Sequence, residues 1–324
     1  MKRTLLALGL AVVATAARAD YPETVRDHIL PGYAALAETT AKLAATATET
    51  CDSAMLEPLF QSAFDAWMAV QHLNFGPVEE DGRRLAIQYW PDPKGSGAKA
   101  QMALLKGDPA KLAPDAFAQQ SVAARGLMAL ERLLYPAEPL PADPCPLIRA
   151  TATDLAATAA SVNAGWTGGY ADSVLTAGDP DNTVFLTGPE VRQVLFTQLA
   201  AGLEFLADSR IARPLGTFDA PHPERAEARA SGRSLRNITL SLQAMRGMVE
   251  TLTPDAPLTI AAFDKAISLA GAIDDPTLAG VATPQGHLKL EILGQSVDNI
   301  RAVILSELAP ELDVGIGFNA GDGD

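Results

Sequence analysis

Residues 54–75 read AMLEPLFQSAFDAWMAVQHLNF, and apolar side chains recur in this stretch at every third or fourth position. Phe60, Phe64 and Trp67 form one stripe at this spacing, which is typical of an amphipathic helix. The same periodicity runs through most of the long segments, and aromatic residues make up only 6% of the chain. We therefore predict an all-α fold. The expected helices cover residues 22–49 (with Pro31 bending or interrupting the helix), 54–75, 97–106, 114–135, 145–163, 188–209, 224–251, 257–272 and 286–309.

The composition changes in the middle of the chain. Between about residues 164 and 188, glycine, proline and aspartate replace alanine and leucine, which is typical of a connection between domains. The sequence predicts two helical domains packed against each other, covering residues 20–164 and 189–324. A connecting loop at 165–188 would join them.

The first nineteen residues have the features of a cleavable signal peptide. Lys2 and Arg3 precede an apolar run at 5–14, and Ala17 and Ala19 are small residues at the cleavage spacing. The run is too short for the roughly 20 residues that a membrane-spanning helix needs, which disfavours an uncleaved anchor. We expect cleavage after Ala19, export to a periplasm and no membrane span in the mature protein.

The chain is acidic, with a formal net charge of −14. Cleavage after Ala19 would remove Lys2, Arg3 and Arg18, so three positive charges are lost and the net charge falls from −14 to −17. An acidic surface repels phosphate backbones and anionic lipid. Nucleic acid and membrane surfaces are therefore disfavoured as partners, whereas cations and basic proteins are not.

The chain has two cysteines, Cys51 and Cys145. In an oxidising compartment the simplest expectation is one disulfide between them. The alternative, a redox or metal-binding thiolate pair, lacks the short spacing of such motifs.

One carboxylate is expected on the apolar side of a helix. Glu131 falls among leucines on a helical wheel, while Arg125 and Arg132 project to the opposite side, which we expect to face solvent. A carboxylate in apolar surroundings is costly unless it is paired, protonated or bound to a cation. Either an arginine of another helix holds Glu131, or the residue acts as a ligand or as an acid or base.

Two amides continue the apolar stripe of the 54–75 helix. Gln71 and Asn74 lie one and two turns beyond Trp67, so the spacing predicts that both point inward. They would bond the backbone of the 75–77 turn or line a cleft beside Glu131.

Three arginines of the second half have helical spacing, namely Arg229, Arg233 and Arg236. One interpretation is a solvated face with salt bridges to Glu224 and Glu227. The other is an inter-domain contact or a binding site for carboxylates, to which arginine is well suited.

The common catalytic motifs are absent from the sequence. The four histidines are scattered, and there is no H-E-x-x-H motif, no glycine-rich phosphate loop and no G-x-S-x-G motif. The residues alone indicate an exported helical binding protein.

Several strings resemble the imelysin family of bacterial envelope proteins, which are also classed as M75 peptidases and are related to helical proteins of periplasmic iron uptake. These strings are FDAW at 64–67, NFGP at 74–77, YWPD at 89–92, RGLMALERLL at 125–134, RAE at 225–227 and SGRSLRN at 231–237. The resemblance implies two helical bundles with a site in the groove between them. It also implies the signature G-x-H-x-x-E, of which Gly126 and Glu131 are present, whereas Met128 replaces the histidine.

The resemblance leads to a first hypothesis, a non-catalytic periplasmic protein of metal acquisition that binds a metal, a chelate or a partner protein. The metal would be iron ahead of copper or zinc, and the partners would include other envelope proteins of a metal-uptake system. The candidate groove residues are Glu131, Met128, Gln71 and Asn74. The candidate partner or chelate contacts are Arg229, Arg233 and Arg236.

Two alternatives remain open. In a metallopeptidase, Glu131 would act as ligand or general base, and His72 or His287 would replace the missing imidazole. In a copper(I) site, Met128 would act with Met55, Met68 or Met102, because a thioether suits copper(I) but is a poor ligand for zinc or ferric iron.

Overall fold

The computed structural model describes residues 20–315, which form an all-α fold without β-strands in that range. The predicted signal peptide lies outside the described residues. The first half contains α1 (21–49), α2 (Ser53–Val70), α3 (Arg83–Ile87), α4 (Ser96–Leu105), α5 (Pro114–Ala118), α6 (Gly126–Leu134) and α7 (145–175). The second half contains α8 (188–215), α9 (Ser234–Leu252), α10 (Pro257–Gly271) and α11 (284–312).

The four longest helices each contain one π-helical turn. These turns are Val25–Ile29 in α1, Trp166–Tyr170 in α7, Leu206–Ala212 in α8 and Ile304–Leu308 in α11. Pro31, expected to bend or interrupt the first helix, follows the π-turn of α1, and the helix continues to Glu49. The π-turns carry α7, α8 and α11 beyond their predicted ends.

Two helix predictions are wrong in part. Residues 114–135 do not form one helix, because the chain turns between α5 and α6 and Gly126 has a positive φ of 69°. The helix expected at 224–251 begins only at Ser234, since the preceding residues form turns with positive φ at Ala228 and Gly232. Arg229 is therefore not part of a helical arginine stripe.

The segment expected as a loop at 165–188 is largely helical at its start. Residues 166–175 continue α7, so irregular backbone is confined to 176–187. Trp166 is fully buried and its ring packs against the rings of Tyr33, Phe75 and Tyr170. Aromatic packing thus orders this stretch, and the proposed domain boundary stays a prediction.

The helices pack around one contiguous apolar cluster with members from both halves. In the first half α1 packs against α2 and α7, and α6 packs against α2 and α7. In the second half α10 lies against α9 and α11, while α8 packs against α11. The halves meet where α9 lies on α2.

A disulfide joins the end of α1 to the start of α7, which confirms the predicted pair. Cys51 and Cys145 have their Cα atoms 5.6 Å apart and are separated by 94 positions in the sequence. None of the helices in the described range is long and apolar enough to cross a bilayer.

Candidate functional site

Charged and polar side chains are buried or half-buried where α2 and α6 meet the 226–237 segment. We call this set the junction network. Its members are Gln61, Asp65, Gln71, Gln88, Glu131, Arg210, Glu227, Ser231, Arg233 and Asn237. Four of the strings that resemble imelysin, at 64–67, 125–134, 225–227 and 231–237, lie in or beside it. Buried charges are costly unless they are paired, so the partners of each charge are decisive.

Glu227 lies in the most completely paired part of the network. The side chains of Glu227 and Arg210 are 1% and 2% exposed, and Arg210 donates from Nε to Oε2 at 2.7 Å and from Nη2 to Oε1 at 3.2 Å. Gln88 Nε2 donates to Oε1 at 2.8 Å, and Asn237 Nδ2 donates to Oε2 at 2.7 Å. Both carboxylate oxygens are therefore satisfied, and an arginine opposes the negative charge.

Arg210 also connects α8 to α2. Its Nη1 donates to Ser241 Oγ at 2.7 Å and to Gln71 Oε1 at 3.4 Å. Gln71 is buried as expected, but its partner is Arg210 and not the 75–77 turn. Asn74 is exposed, because α2 ends at Val70 and a helical wheel no longer describes the backbone beyond that point.

Arg233 and Arg236 contact the first half through one carboxylate. Arg233 is fully buried, lies over the Phe64 ring and donates from Nη2 to Asp65 Oδ1 at 2.6 Å. Arg236 is exposed and binds the same carboxylate of Asp65. Burial alone would raise the pKa of Asp65, but the hydrogen bonds from Arg236 and Arg233 hold it below its ordinary value.

The solvated interpretation is wrong for Arg233, which is buried, and it holds for the exposed Arg236 except for the expected salt-bridge partner. Their partner is Asp65, whereas Glu227 pairs with Arg210, and Glu224 pairs with His222 and Arg225. Arg229 is exposed and lies in the turn before α9. Helical spacing could not predict this arrangement because Arg229 and Arg233 lie before the first residue of α9.

Glu131 is buried, as the wheel predicted, but it is held differently from Glu227. Its side chain accepts hydrogen bonds from the backbone N–H and the Oγ of Ser231, at 2.9 and 2.7 Å. Both bonds end on Oε1, and no hydrogen bond from the described residues ends on Oε2. No described arginine forms an ion pair with Glu131, so the expectation of an arginine from another helix is wrong.

The surroundings of Glu131 disfavour its charged form. Glu131 is only 4% exposed, and burial raises the pKa of its carboxyl above the ordinary value of 4.5. The hydrogen bonds from Ser231 oppose this shift, and the nearby negative charge of Glu227 adds to it. The positive charge of Arg132 lowers the pKa but does not outweigh burial, so Glu131 is a buried carboxylate with a raised pKa and no ion-pair partner among the described residues.

The expectation that Arg125 and Arg132 face solvent is wrong. Arg125 forms a bidentate pair with Asp154 at 2.8 Å on α7, and Arg132 donates from Nε to Gln101 Oε1 at 2.8 Å on α4. Other elements surround α6 on all sides. A helical wheel cannot identify a polar face that packs against polar groups of the same protein.

Gly126 starts α6 at a point where a side chain cannot fit. Its φ is +69°, and an added Cβ would lie 2.2 Å from the carbonyl oxygens of Ala86 and Ile87. Such contacts are far inside van der Waals distance, and the positive φ is itself costly for other residues. Gly126 therefore lets α6 begin against the end of α3, and this start determines where Glu131 lies.

The residues around Glu131 do not fit the metal site of a zinc peptidase. Met128 is 8% exposed and belongs to the apolar core. His72 faces His28, with 3.3 Å between the Nε2 atoms, and His287 packs against Phe218. Within residues 20–315, no three His, Cys, Asp or Glu side chains are arranged to hold a metal ion, whereas a catalytic zinc usually has three protein ligands.

The methionines considered for copper(I) also do not form one cluster. Met55 and Met102 are exposed, whereas Met68 is buried against Arg210. Met55 and Met68 are 13 residues apart on one helix, which corresponds to about 20 Å along its axis. We find no support for a site that combines these thioethers.

The fold and the junction network define an all-helical protein whose two halves meet at buried charges. The sequence profile of the imelysin family, also named peptidase M75, matches residues 29–304, and the chain belongs to this family. None of the curated proteins matches this chain.

Two solved structures share the fold. An imelysin-like protein from Psychrobacter arcticum 273-4 has a TM-score of 0.77 at 20% identity, covering 93% of this chain and 100% of that chain. A protein described as an iron-regulated protein A precursor, from Parabacteroides distasonis ATCC 8503, has a TM-score of 0.68 at 13% identity, covering 88% and 93%. At these identities the likeness shows the fold alone.

Sequence reasoning missed half of the network. The burial of Arg210 could not be predicted from the sequence, because the residue lies in a π-helical turn where the ordinary helical period does not apply. Glu227 and Asp65 lie inside the strings RAE and FDAW, but their pattern does not distinguish a buried charge from an exposed one. Ser231 lies inside the string SGRSLRN, where its residue type does not indicate a partner. Its role depends on a contact across 100 positions of sequence.

Proposed function

We propose that the protein is a periplasmic component of metal acquisition that binds a metal chelate, with iron as the first candidate, and that Glu131 is the residue that contacts the metal. The observation that carries this proposal is the uncompensated buried carboxylate of Glu131. A cation brought to Oε2 would offset the cost of burying this charge.

The chemistry of the site supports a chelated metal over a bare ion. Glu131 and the thioether of Met128 supply too few ligands to satisfy iron or zinc. The remaining ligands would therefore come from the chelator. In this proposal the metal is cargo and not a resident catalytic group.

Two exposed arginines close in sequence to Ser231, the hydrogen-bond partner of Glu131, support recognition of an anionic chelator. Arg229 is exposed two residues before Ser231, and Arg236 is exposed on the first turns of α9. A hollow of about 420 Å³ lies beside Arg236, lined by apolar groups that include Leu235 and Pro276. Guanidinium groups bind carboxylates in bidentate geometry, and Arg229 would contact the chelator in this way. Arg236 would contact it through the edge of the guanidinium that does not bind Asp65, while Arg233 holds the network together.

The metallopeptidase hypothesis has less support. It needs an imidazole in place of Met128, and neither His72 nor His287 is a contact of Glu131. The non-catalytic role is therefore the function that we propose.

The periplasmic location rests on the sequence of residues 1–19. Their pattern predicts cleavage after Ala19. Asp20, the first residue after that position, caps α1 and binds Arg192. N-terminal sequencing of protein recovered from the periplasm should therefore begin at Asp20, and an intact Met1 would contradict the predicted cleavage.

Calorimetric titration with ferric citrate tests the function. We expect saturable binding by the wild-type protein and a loss of at least tenfold in affinity for Glu131→Gln, which removes the charge but keeps the shape. The matched control is Glu138→Gln, because Glu138 is an exposed carboxylate shortly after α6 and should not matter. Equal affinities for all three proteins, or no binding by any, would refute the proposal.

The same variants distinguish the peptidase. Cleavage of a denatured protein by the zinc-supplemented wild type, abolished in Glu131→Gln and retained in Glu138→Gln, would favour the enzyme over the binding protein.

A further inference from the structure

Two histidines outside the junction network face each other. His28 lies in the π-helical turn of α1, and His72 follows the end of α2. Their Nε2 atoms are 3.3 Å apart and their ring centroids are 5.3 Å apart. The nitrogens are closer together than the centroids by 2.0 Å, so each Nε2 lies on the edge of its ring that faces the other histidine.

The environment keeps both rings neutral. Burial lowers the pKa of His28 to about 4, and it holds the pKa of His72 well below 6.5, with the charges of His28 and Arg210 adding to the effect. His72 is 6% exposed, and its Nδ1 has no hydrogen-bond partner among the described residues. Neutral imidazole is the form that binds metals. Moving one proton from Nε2 to Nδ1 would give both rings a free Nε2 lone pair.

The number of ligands restricts which metal can bind. No group of three His, Cys, Asp or Glu side chains within residues 20–315 could hold a metal ion, so a third ligand of these types is not available to the pair. Zinc requires three or four ligands. A monovalent d¹⁰ ion, by contrast, accepts two nitrogen ligands in a linear arrangement. We propose that His28 and His72 form a two-coordinate site for copper(I).

The local packing allows such a site to form. A metal–imidazole bond is roughly 2 Å long, so a linear site needs about 4 Å between the nitrogens, and the pair must open by less than about 1 Å. Gly247 of α9 faces His28, and an added Cβ there would lie 3.9 Å from its Nδ1, so this position of α9 has no side chain that would block the ring. His28 is only partly buried, which gives the ion a route from solvent.

This site is separate from the proposed chelate site. Its ligands lie on α1 and after α2, whereas Glu131 lies on α6, and it does not involve Met128. Arg210 is the charged group near His72, and its own charge is paired with Glu227. Copper(I) binding should therefore be unchanged in Glu131→Gln, so failure of one proposal leaves the other standing.

Competition for copper(I) held by a chromophoric bicinchoninate chelator, in oxygen-free buffer, tests the site. We expect the wild-type protein to withdraw one equivalent, and we expect His28→Ala and His72→Ala each to weaken binding at least tenfold. The control is His222→Ala, whose imidazole pairs with Glu224 away from the pair. No uptake by the wild type, or undiminished uptake by both variants, would overturn the proposal.

A second measurement avoids variants that fail to fold. X-ray absorption of the wild-type protein loaded with copper(I) should show two nitrogen ligands and no sulfur. A sulfur ligand would place the ion at a methionine and would equally overturn the proposal.

Discussion

Two buried glutamates of the junction network differ in how their charges are balanced. Glu227 binds Arg210 through both oxygens and accepts further bonds from Gln88 and Asn237. Glu131 accepts two bonds from one neutral residue, Ser231, and both end on the same oxygen. A fully paired charge stabilises the fold around it, whereas an unpaired one lowers stability and invites a ligand. This contrast suggests a structural role for Glu227 and a functional role for Glu131.

The largest loss of unfolding free energy is expected when the ion pair between Glu227 and Arg210 is broken. Glu227→Gln leaves the guanidinium of Arg210 buried without its counter-charge, and removal of one partner from a buried ion pair costs about 3 to 5 kcal/mol. Urea denaturation at pH 7 would measure the loss of unfolding free energy. A loss below about 1 kcal/mol would show that the ion pair contributes little to the stability of the fold.

Arg233 provides the next test, because its side chain joins the start of α9 to Asp65 of α2. Arg233→Met keeps much of the apolar stem but removes the bonds to Asp65 and Gln61, so we expect a loss of about 2 kcal/mol. Arg229→Met is the matched control. Its guanidinium is exposed, and a surface change of this kind is usually within about 0.5 kcal/mol. Equal effects in the two variants would contradict the structural role of Arg233.

Asp65 should show the pH dependence of a compensated carboxylate. Its pKa is held below 3.8 in the folded protein, so its contribution is present above that value and is lost as the pH falls through the lowered pKa. Because the residue is half-exposed, solvent screening reduces the effect, and we expect Asp65→Asn to cost about 1 kcal/mol at pH 7. Denaturation at several pH values would show this cost shrinking toward pH 3, and a cost independent of pH would exclude the electrostatic explanation.

The contribution of Glu131 to stability should have the opposite pH dependence to that of Asp65, and it should be the smallest of the four. Its pKa is raised in the folded protein, so the ionised carboxylate lowers stability at neutral pH, and this penalty disappears as the pH falls through the raised pKa toward 4.5. Glu131→Gln should therefore be neutral or stabilising at pH 7, by up to about 1 kcal/mol, with the gain vanishing near pH 4. A loss of stability at pH 7 would mean that Glu131 is structural like Glu227.

The sequence predicted those features that depend on local pattern. Helical periodicity gave the fold class and placed Glu131 and Gln71 inside, and the two cysteines gave the disulfide. The pattern failed where the backbone departs from an α-helix. Asn74 lies beyond the end of α2, and Arg229 lies in a turn before α9.

The partners of the buried charges could not be predicted in the same way. Arg210 and Glu227 are 17 positions apart, and Glu131 and Ser231 are 100 positions apart. Two side chains at similar positions on a helical wheel can have different environments, because the environment depends on the elements that pack against the helix. For this reason the helical pattern identified Glu131 as a candidate site residue but could not distinguish it from a glutamate that is held by an arginine.

The most direct test of this account is a ¹³C NMR titration of the Glu131 side-chain carboxyl in the ligand-free protein. We predict an apparent pKa above the ordinary value of 4.5, because burial and the charge of Glu227 outweigh the two bonds from Ser231. A pKa at or below 4.5 would show that the charge of Glu131 is already compensated in the ligand-free protein. It would contradict the assignment of this carboxylate as a cation-binding residue.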